Sequence, residues 1–367
     1  MILQINKMYS PDIGGVETVV REYSEYLNRH EDVVVLCSHK QFSLKTTVER
    51  INGVKVYRCA SFGVIMSMPI SVVFFFYLFS LGRKARVVHF HEPFPLGSIG
   101  SFLVSKKRTV FVTWHSDIIK QKKVKFFFEL FQKRLCKKAT SVISTSDRLI
   151  EFSSVLTAFK DKVITIPLSI DKDEYLNAKL NHVSIEGLPR EYVLFLGRFS
   201  YYKGLFVLLD AIESIEESIP FVIAGTGELS EAVKIRVSKS KKNILLVDRF
   251  VTDDEKKYLL QKSKFMVFPS IYPSEAFGIV QLESMVYGKP VINTYLPTGV
   301  PWVSLDKKTG LTTSVKNHTH LAKAIKELYY NDEMIEKFGR EATKRVDELF
   351  SDSVTNKQMH ELYFENK

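Results

Sequence analysis

Residues 265–294 read FMVFPSIYPSEAFGIVQLESMVYGKPVINT. The flanking runs FMVFPS and PVINT are short, apolar and bounded by proline, which is typical of buried strands. Between them lies a segment of helical length with apolar residues at helical spacing. A strand, a helix and a second strand in this order predict a βαβ unit, in which both strands are parallel members of one sheet.

The same alternation extends through the whole 367-residue chain. Twelve strand-like runs alternate with amphipathic stretches, and they cover residues 3–8, 33–38, 54–59, 87–92, 109–114, 141–146, 163–168, 192–197, 221–227, 243–248, 265–270 and 290–294. Regular βα alternation is the pattern of α/β proteins with doubly wound, Rossmann-like parallel sheets.

The chain is too long for one ordinary core and suits two domains. The alternation lapses at residues 172–190, which are polar, so we expect an interdomain linker there. The predicted domains are residues 1–172 and 187–348, and a C-terminal helix at 349–367 is expected to pack back on the first domain. Because such sheets bind ligands at the carboxyl ends of their strands, we expect a cleft between two such edges.

The composition indicates a globular protein with an anionic partner. Lys and Arg number 52 against 41 Asp and Glu, and the net charge of +11 favours nucleic acid, an acidic membrane surface or a phosphorylated substrate. Three cysteines at unrelated spacings argue against a disulfide framework and a zinc site, and favour a reducing cytoplasm. The N-terminus has no signal-peptide pattern, so secretion is not expected.

Two segments bear on contact with a membrane. Residues 62–81 approach membrane-spanning length, but Pro69 and several serines interrupt them. We therefore expect a loop and a shorter helix there, with a spanning helix as the alternative. Residues 120–139 mix lysines with phenylalanines, and a basic amphipathic helix of this kind suits an anionic cytoplasmic leaflet. A nucleic-acid surface and a core helix with a solvated lysine face remain the alternatives.

Two glutamates in the opening stretch, Glu275 and Glu283, lie eight positions apart in an apolar setting. If the helix begins near residue 276, eight residues span about 12 Å with an angular offset of about 80°, so both carboxylates can face one ligand at different depths. Phe277, Gly278 and Ile279 would then offer free amides at the start of the helix. Such a site can bind a sugar hydroxyl and a ribose on either side of a diphosphate.

Cations and glycines follow other strand ends. Gly197-Arg198 and Lys203-Gly204 bracket a predicted strand-to-helix loop, where two cations are suitably placed for a diphosphate. Gly14-Gly15 precedes an amphipathic helix and would let backbone amides approach a ligand closely. Each motif alone is weak, because a solvated basic loop and a plain tight turn have the same residues.

Taken together, GGVE near the start, GRFSYYKG and the E-x7-E pair before GKPVI resemble the GT-B glycosyltransferases of family 4 over nearly the whole chain. These enzymes use nucleotide-sugar donors and retain the anomeric configuration. The resemblance implies that the cations bind the donor diphosphate, Glu283 the ribose and Glu275 the sugar. The implied donor-binding residues are Gly15, Arg198, Lys203, Phe277, Gly278, Ile279 and Glu283, and the implied catalytic residues are His115 and Glu275.

The family also keeps a histidine at a strand end in the first domain, and His115 in TVFVTWHSD matches it. Asp117 is expected to orient the imidazole or to cap the next helix. His89 and His91 lie on one strand face, at a spacing that can ligate a metal, but no further ligand completes a site. We therefore expect His91 to line the cleft, together with Gly14, Asp117 and Gly225.

The resemblance also implies a mechanism without a metal cofactor. Two cations and a helix N-terminus can neutralise the departing diphosphate, so a divalent ion is not required. No carboxylate is evidently placed as a nucleophile, which favours front-side displacement, with the leaving phosphate taking the proton of the acceptor hydroxyl. Asp171-Lys-Asp173 imitates the metal-binding D-x-D of another glycosyltransferase fold, and its place in the predicted linker makes it a coincidence.

Residues 113–122 and 272–304 look like those of bacterial enzymes that build O-antigen or related surface polysaccharides. Such enzymes are often mannosyl- or rhamnosyltransferases, so GDP-mannose is the first expected donor and a UDP-hexose the second. The expected acceptor is a lipid-linked saccharide, which suits a peripheral enzyme on the cytoplasmic membrane face without a nucleic-acid partner. A sugar-nucleotide epimerase and a non-enzymatic basic binding module are the alternatives.

Overall fold

A computed structural model of the protein describes residues 1–12, 14–65, 68–118 and 122–365. The chain packs as two compact units. The first contains Met1–Leu168 together with the C-terminal residues from Asn356 onward, and the second contains Ser169–Thr355.

The first unit is built on a mainly parallel sheet. Its strands are β1 (Ile2–Ile5), β2 (Val33–Ser38), β3 (Phe42–Ser43), β4 (Thr47–Ile51), β5 (Val54–Cys59), β6 (Ser61–Phe62), β7 (Val64–Ile65), β8 (Met68–Pro69), β9 (Val87–Glu92), β10 (Thr109–Trp114), β11 (Ser141–Ser144) and β12 (Val163–Thr165). The sheet order is β12-β11-β10-β9-β1-β2-β5-β4, and all neighbours are parallel except β4 and β5. The pairs β3–β6 and β7–β8 are small antiparallel ribbons.

Helices connect these strands. They are α1 (Gly15–Leu27), α2 (Val73–Gly82), α3 (Pro95–Gly100), α4 (Lys122–Lys138), α5 (Asp147–Phe152) and α6 (Ser154–Thr157), with short 3-10 turns at Ser101–Leu103 and Lys160–Lys162. The central strands β1, β9 and β10 are almost completely buried. Burial on both faces is typical of parallel strands. The polar residues Gln4, His89, His91 and Glu92 are buried on these strands together with the apolar ones.

The second unit contains a fully parallel sheet of order β15-β14-β13-β16-β17-β18. Its elements in chain order are α7 (Lys172–Leu176), β13 (Val193–Leu196), a 3-10 turn (Tyr201–Lys203), α8 (Leu205–Ser214), β14 (Phe221–Gly225), α9 (Ser230–Ser238), β15 (Ile244–Asp248), α10 (Asp253–Lys262), β16 (Phe265–Val267), α11 (Val280–Val286), β17 (Val291–Thr294), α12 (Val300–Val303), β18 (Gly310–Thr313), α13 (His318–Tyr329) and α14 (Asp332–Arg345). A π-helical segment at Val346–Phe350, α15 (Asp352–His360) and a second π-helical segment at Glu361–Glu365 complete the chain.

Each of the twelve predicted runs overlaps an observed strand, which confirms the α/β class with a mainly parallel sheet in each unit. A capping box formed by Thr252 and Glu255 starts α10. The structure differs from the sequence prediction around the linker. Lys172–Leu176 is a helix of the second unit. Tyr175 on this helix is buried, and its hydroxyl donates to Glu283.

The two segments considered for membrane contact are helical only in part. Residues 62–81 contain the short strands around Val64–Pro69 and the helix α2, while Met66 and Ser67 lie outside the described residues. The basic segment 120–139 contains α4, and Lys120 and Gln121 lie outside the described residues. Within the described ranges, no helix combines the length and apolar character needed to cross a membrane.

The C-terminal segment predicted as one helix at 349–367 is divided between the units. α15 begins in the second unit, and the residues from Asn356 onward group with the first. Tyr363 is buried there, where its hydroxyl accepts a hydrogen bond from Gln4 on β1. Asn366 and Lys367 lie outside the described residues.

Candidate functional site

The loops that follow β13 and β16 form the centre of the candidate site in the second unit. The two strands are parallel neighbours, so both loops emerge at the same sheet edge. The amide of Ile271 donates to the carbonyl of Tyr202 at 2.8 Å and ties the loops together. Gly204 has φ +71°, and a Cβ there would lie 1.9 Å from the carbonyl oxygen of Pro269. Glycine is therefore required where the two loops approach.

Lys203 and Glu275 meet across this contact as a buried ion pair. Their Nζ and Oε2 atoms are 2.5 Å apart, and the side chains are only 12% and 11% exposed. Ser270 donates a further hydrogen bond to the Glu275 carboxylate at 3.2 Å, and the ammonium lies 4.8 Å from the ring centre of Phe268. A desolvated pair of this kind contributes little net stability, because the cost of removing both charges from water offsets their attraction.

Free amides lie in the segment after Glu275, although the expected helix start there was wrong. α11 begins only at Val280, and Gly278 has φ +77°. A Cβ at Gly278 would lie 2.6 Å from the Phe268 ring, which excludes a side chain. Within the described part of the chain, the amides of Phe277, Gly278 and Ile279 donate no hydrogen bond. Amides without an acceptor in a partly buried loop are suited to an anionic ligand.

Arg198 lies on the same loop as Lys203 but faces solvent. Its side chain is 71% exposed, and its guanidinium pairs with Glu228 at 3.5 Å. A Cβ at Gly197 would lie 3.9 Å from Cε of Lys203, so the start of the arginine is next to the lysine stem. The structure thus brings Lys203, Glu275 and the amides together, and places Arg198 at the solvent side of that loop.

Glu283 occupies a different environment from Glu275. It lies on α11, where its Oε1 accepts from the Tyr175 hydroxyl at 2.7 Å and from Lys256 Nζ at 2.9 Å. The two glutamates do not share one helix, so the expected offset of eight helical residues was wrong. Tyr175 and Lys256 were not identified from the sequence, because neither lies in a recognisable motif.

Gly225 ends β14 beside the same loop. It has φ +140°, and a Cβ there would lie 2.0 Å from the carbonyl oxygen of Gly197. The next turn is closed by Ser230, whose hydroxyl accepts from the amide of Gly227 and donates to Asp248. The end of β14 and the loop after β13 therefore also approach each other closely at this sheet edge.

The glycine turn of the first unit leads into α1. Gly14 is the extended N-cap residue and Gly15 is the first helical residue. A Cβ at Gly14 would lie 2.2 Å from Oε2 of Glu17, whereas a Cβ at Gly15 would have no neighbour within 4 Å in the described residues. Space beside Gly15 is compatible with a ligand that approaches the backbone.

His115 follows β10 and bonds to another histidine rather than to Asp117. Its Nε2 lies 3.0 Å from Nδ1 of His91 on β9. Asp117 instead accepts from Trp114 Nε1 at 2.9 Å and from the Ser153 hydroxyl at 2.7 Å. The expectation that Asp117 orients the imidazole was therefore wrong, and His91 has that position.

Metal ligation is not apparent in the described part of the chain. No group of three or more histidine, cysteine, aspartate or glutamate side chains there has the geometry to hold a metal ion. Asp171, the first residue of the D-x-D imitation, is the N-cap of α7 and accepts from the amide of Glu174 at 3.1 Å. A helix cap explains that aspartate without a metal.

Burial of His89, His91 and His115 makes the stability of the protein pH-dependent. Burial lowers the pKa of His89 and of His115 to about 3, with smaller effects of His115 on His89 and of Lys7 on His115, and it lowers the pKa of His91 well below its usual value. The unfolded chain takes up these protons near pH 6.5, while the folded chain does not. The free energy of unfolding therefore falls as the pH drops below about 6.5.

Glu92 opposes this trend. Burial raises the pKa of its carboxyl to about 7, so the folded state binds this proton at a higher pH than the unfolded chain does. Since three histidines act against one carboxyl, we expect a net loss of about 2 kcal/mol between about pH 7.5 and pH 5.5. Urea unfolding at several pH values measures it. An unchanged or increased free energy of unfolding at the lower pH would contradict the prediction.

Comparisons with known proteins identify the family of the chain. Residues 13–174 match the family described as Glycosyltransferase Family 4, and residues 181–345 match Glycosyl transferases group 1. The D-rhamnosyltransferase WbpZ of Pseudomonas aeruginosa is 31% identical over 95% of this chain and 92% of its own length. The O-antigen chain mannosyltransferase C of Escherichia coli is 28% identical over 95% and 94%.

Solved structures give the same fold. The sucrose-phosphate synthase of Thermosynechococcus elongatus superimposes with a TM-score of 0.75 at 19% identity, over 99% of this chain and 98% of that protein. WaaG, a glycosyltransferase involved in lipopolysaccharide biosynthesis, superimposes with a TM-score of 0.69 at 13% identity, over 99% and 100%. The chain therefore belongs to glycosyltransferase family 4 and is a glycosyltransferase with the GT-B fold.

Proposed function

We propose that the protein transfers a hexose from a nucleotide-sugar donor to a lipid-linked saccharide, with retention of configuration, in the synthesis of O-antigen or a related surface polysaccharide. Mannose from GDP-mannose is the first choice of donor, and a UDP-hexose is the second. Two relatives that match over 95% of this chain, one named a D-rhamnosyltransferase and one an O-antigen chain mannosyltransferase, support this choice.

The buried pair of Lys203 and Glu275 is the observation that carries the proposal. In our proposal the ammonium binds the donor diphosphate, and the carboxylate binds hydroxyls of the sugar. Both groups are held at the carboxyl edge of the sheet in the second unit, where such folds bind ligands. The amides of Phe277, Gly278 and Ile279 would complete the anion site, Arg198 would contact the diphosphate from the solvent side, and Glu283 would bind the ribose.

The chemistry of the leaving group follows from these charges. As the bond between sugar and phosphate breaks, negative charge develops on the diphosphate, and preorganised cations and amides stabilise it. The proton of the acceptor hydroxyl passes to the leaving phosphate, and the new glycosidic bond forms on the face that the diphosphate leaves. Gly15 of the first unit is proposed to let the backbone approach the ligand closely. His115 of the same unit is proposed to provide a catalytic imidazole.

Removal of divalent ions should leave the reaction unchanged. Because protein cations take the role that a metal has in other glycosyltransferases, we expect the transfer rate in EDTA to stay within about twofold of the rate with added Mg²⁺ or Mn²⁺. Initial rates in EDTA and in each metal measure this. Loss of transfer in EDTA that Mn²⁺ restores would contradict metal independence.

A product assay tests the proposed function. Labelled GDP-mannose or UDP-hexose is incubated with lipid-linked saccharide, and the anomeric configuration of the product is read by NMR. We expect transfer to lipid with retention of configuration. Conversion of the donor without acceptor would instead indicate an epimerase, and an inverted product would contradict the mechanism.

Membrane association is a further part of the proposal, and α4 carries it. Phe126, Phe127 and Leu130 are 86%, 56% and 65% exposed, although Leu135 and Cys136 on the same helix are fully buried. α4 is thus a core helix that also presents an apolar outer surface. Next to this surface, the ring centre of Phe102 lies 6.0 Å from that of Phe131. The guanidinium of Arg134 lies 4.3 Å from the ring centre of Phe102. Further exposed cations occur on α4 and in the segment after Phe102, namely Lys106, Lys107, Lys133 and Lys137.

Flotation with liposomes tests this surface. Each cation near an anionic leaflet contributes about 1 kcal/mol, and salt screens that attraction. We expect binding to anionic but not to zwitterionic liposomes at low salt, and loss of binding in the F126S/L130S variant. F250S, which removes a side chain that is 72% exposed in the second unit, serves as the matched control. Binding that salt and F126S/L130S leave unchanged would contradict the membrane surface.

A further inference from the structure

A buried chain of hydrogen bonds connects His115 with Tyr363 in the first unit. Nδ1 of His91 lies 3.0 Å from Nε2 of His115, and Nε2 of His91 lies 2.9 Å from Oε1 of Gln4. The amide nitrogen of Gln4 in turn donates to the Tyr363 hydroxyl at 3.0 Å. Tyr363 thus reaches the proposed catalytic histidine through two intermediate side chains.

The chain continues beyond Tyr363. The tyrosine hydroxyl also bonds to Nδ1 of His89, and Nε2 of His89 lies 2.7 Å from the Thr113 hydroxyl. The rings of His89 and His91 stack with their centres 4.5 Å apart. None of the side chains in the chain is more than 5% exposed. Water therefore does not compete for these bonds, and each group depends on its protein partner.

The hydrogen-bond partners fix which nitrogen of each ring holds a proton. A buried neutral imidazole donates from one nitrogen and accepts at the other. Since the amide oxygen of Gln4 can only accept, Nε2 of His91 must hold its proton and Nδ1 must accept. Nε2 of His115 must then be the donor. Nδ1 of His115, which has no hydrogen-bond partner in the described residues, is left with a lone pair.

The orientation of the Gln4 amide decides this order. If the amide were reversed, its NH₂ group would donate to His91, and His115 would accept at Nε2 and hold its proton on Nδ1. His115 would then present a donor where it otherwise presents an acceptor. The group that fixes the amide therefore determines the hydrogen-bonding character of His115.

We propose that Tyr363 is a positioning residue that fixes this amide. Its hydroxyl accepts from the Gln4 nitrogen and also bonds to Nδ1 of His89. In the proposed arrangement the hydroxyl gives its own proton to Nδ1 of His89, so the oxygen of Gln4 is directed to His91. The C-terminal segment thereby holds His115 as the tautomer protonated on Nε2. Its Nδ1 is then ready to accept a hydrogen bond from a hydroxyl of a substrate, and this last step rests on the proposed function.

Histidine NMR tests the tautomer directly. Ring nitrogens with and without a proton differ in their ¹⁵N shifts, so long-range ¹H–¹⁵N spectra of histidine-labelled protein identify the tautomer, and a His115→Gln variant assigns the signals. In the wild type we expect His115 protonated on Nε2 alone. In Tyr363→Phe we expect a mixture of tautomers or a proton on Nδ1. A proton on Nδ1 in the wild type, or an unchanged pattern in Tyr363→Phe, would overturn the proposal.

Tyr23→Phe is the matched control. Tyr23 is buried, its ring lies 6.4 Å from that of His91, and its hydroxyl has no hydrogen-bond partner in the described residues. The control therefore removes the same atom beside the same cluster without breaking a bond, and we expect the wild-type tautomer. A tautomer change in Tyr23→Phe equal to that in Tyr363→Phe would show a general packing effect and overturn the proposal.

Kinetics separate positioning from stability. We expect kcat of Tyr363→Phe to fall about tenfold with an unchanged KM for the donor, as for outer partners that orient a functional histidine. Should Tyr363→Phe fail to fold, Gln4→Met tests the same link. We expect His115 in that variant also to lose its preference for the tautomer protonated on Nε2. If no donor supports transfer, the proposed function fails while the NMR result still decides the tautomer. A tautomer change with unchanged kcat would refute the positioning role.

Discussion

Replacement of Lys203 by methionine is expected to reduce the rate of glycosyl transfer by about a hundred- to a thousandfold. Methionine keeps most of the length of the side chain but removes the charge that we assign to the donor diphosphate, and with it the contact of the ammonium with the Phe268 ring. The charge that develops on that diphosphate would lose its buried cation, so the transition state should be affected more than the ground state. Initial rates with the preferred donor measure the effect.

Lys264→Met provides a matched control in the same unit. Lys264 is also largely buried, pairs with Asp332 at 2.8 Å and lies 4.8 Å from the ring centre of Tyr329. It precedes β16, whereas the candidate site follows that strand. The control should keep wild-type transfer. Equal losses of transfer activity in both variants would indicate a general effect on stability. Full activity of Lys203→Met would show that Lys203 is not part of the site.

Substitution of Gly204 by alanine is expected to destabilise the protein by about 3 kcal/mol. An alanine would have to adopt φ +71°, and its Cβ would lie 1.9 Å from the Pro269 carbonyl oxygen. The backbone must move to relieve this contact, because a carbonyl cannot rotate away as a side chain can. Thermal unfolding should show a midpoint lower by roughly 5–10 °C for a unit of this size.

Gly15→Ala is the control for a glycine at a helix start. A Cβ at Gly15 would meet no atom within 4 Å in the described residues, and its φ is not in the left-handed region. The free energy of unfolding should stay within about 0.5 kcal/mol of the wild type. A normal midpoint for Gly204→Ala would mean that the loops after β13 and β16 do not approach as closely as described.

The fold could be predicted because the inner strands of a parallel sheet are buried on both faces and appear as short, mainly apolar runs. The exposed edge strand β4 was missed because its residues, TVERI, have the polar character of a loop and pair only with β5. β18 was missed for a similar reason, since GLTT combines a glycine with two threonines. The formation of both strands depends on pairing with a neighbouring strand, and their own sequences do not indicate it.

The site could be predicted only in part. Lys203 and Glu275 lie in motifs, and the structure brings them into contact. The helix start was misplaced because Gly278 must adopt a positive φ beside Phe268, and spacing alone cannot show that. Residues that support the motifs were not found. Gln4 and Tyr363 bond to each other across 359 positions, and no local pattern indicates such a pair.

Donor binding without metal tests the central claim most directly. The unfolding midpoint is measured in EDTA with GDP-mannose, UDP-glucose, UDP-galactose and UDP-N-acetylglucosamine, for the wild type, Lys203→Met and Lys264→Met. A ligand that binds the folded state raises the midpoint according to its affinity and concentration. We predict that one nucleotide sugar stabilises the wild type and Lys264→Met but not Lys203→Met. Equal stabilisation of all three proteins, or of none by any donor, would contradict the claim that Lys203 binds the donor diphosphate.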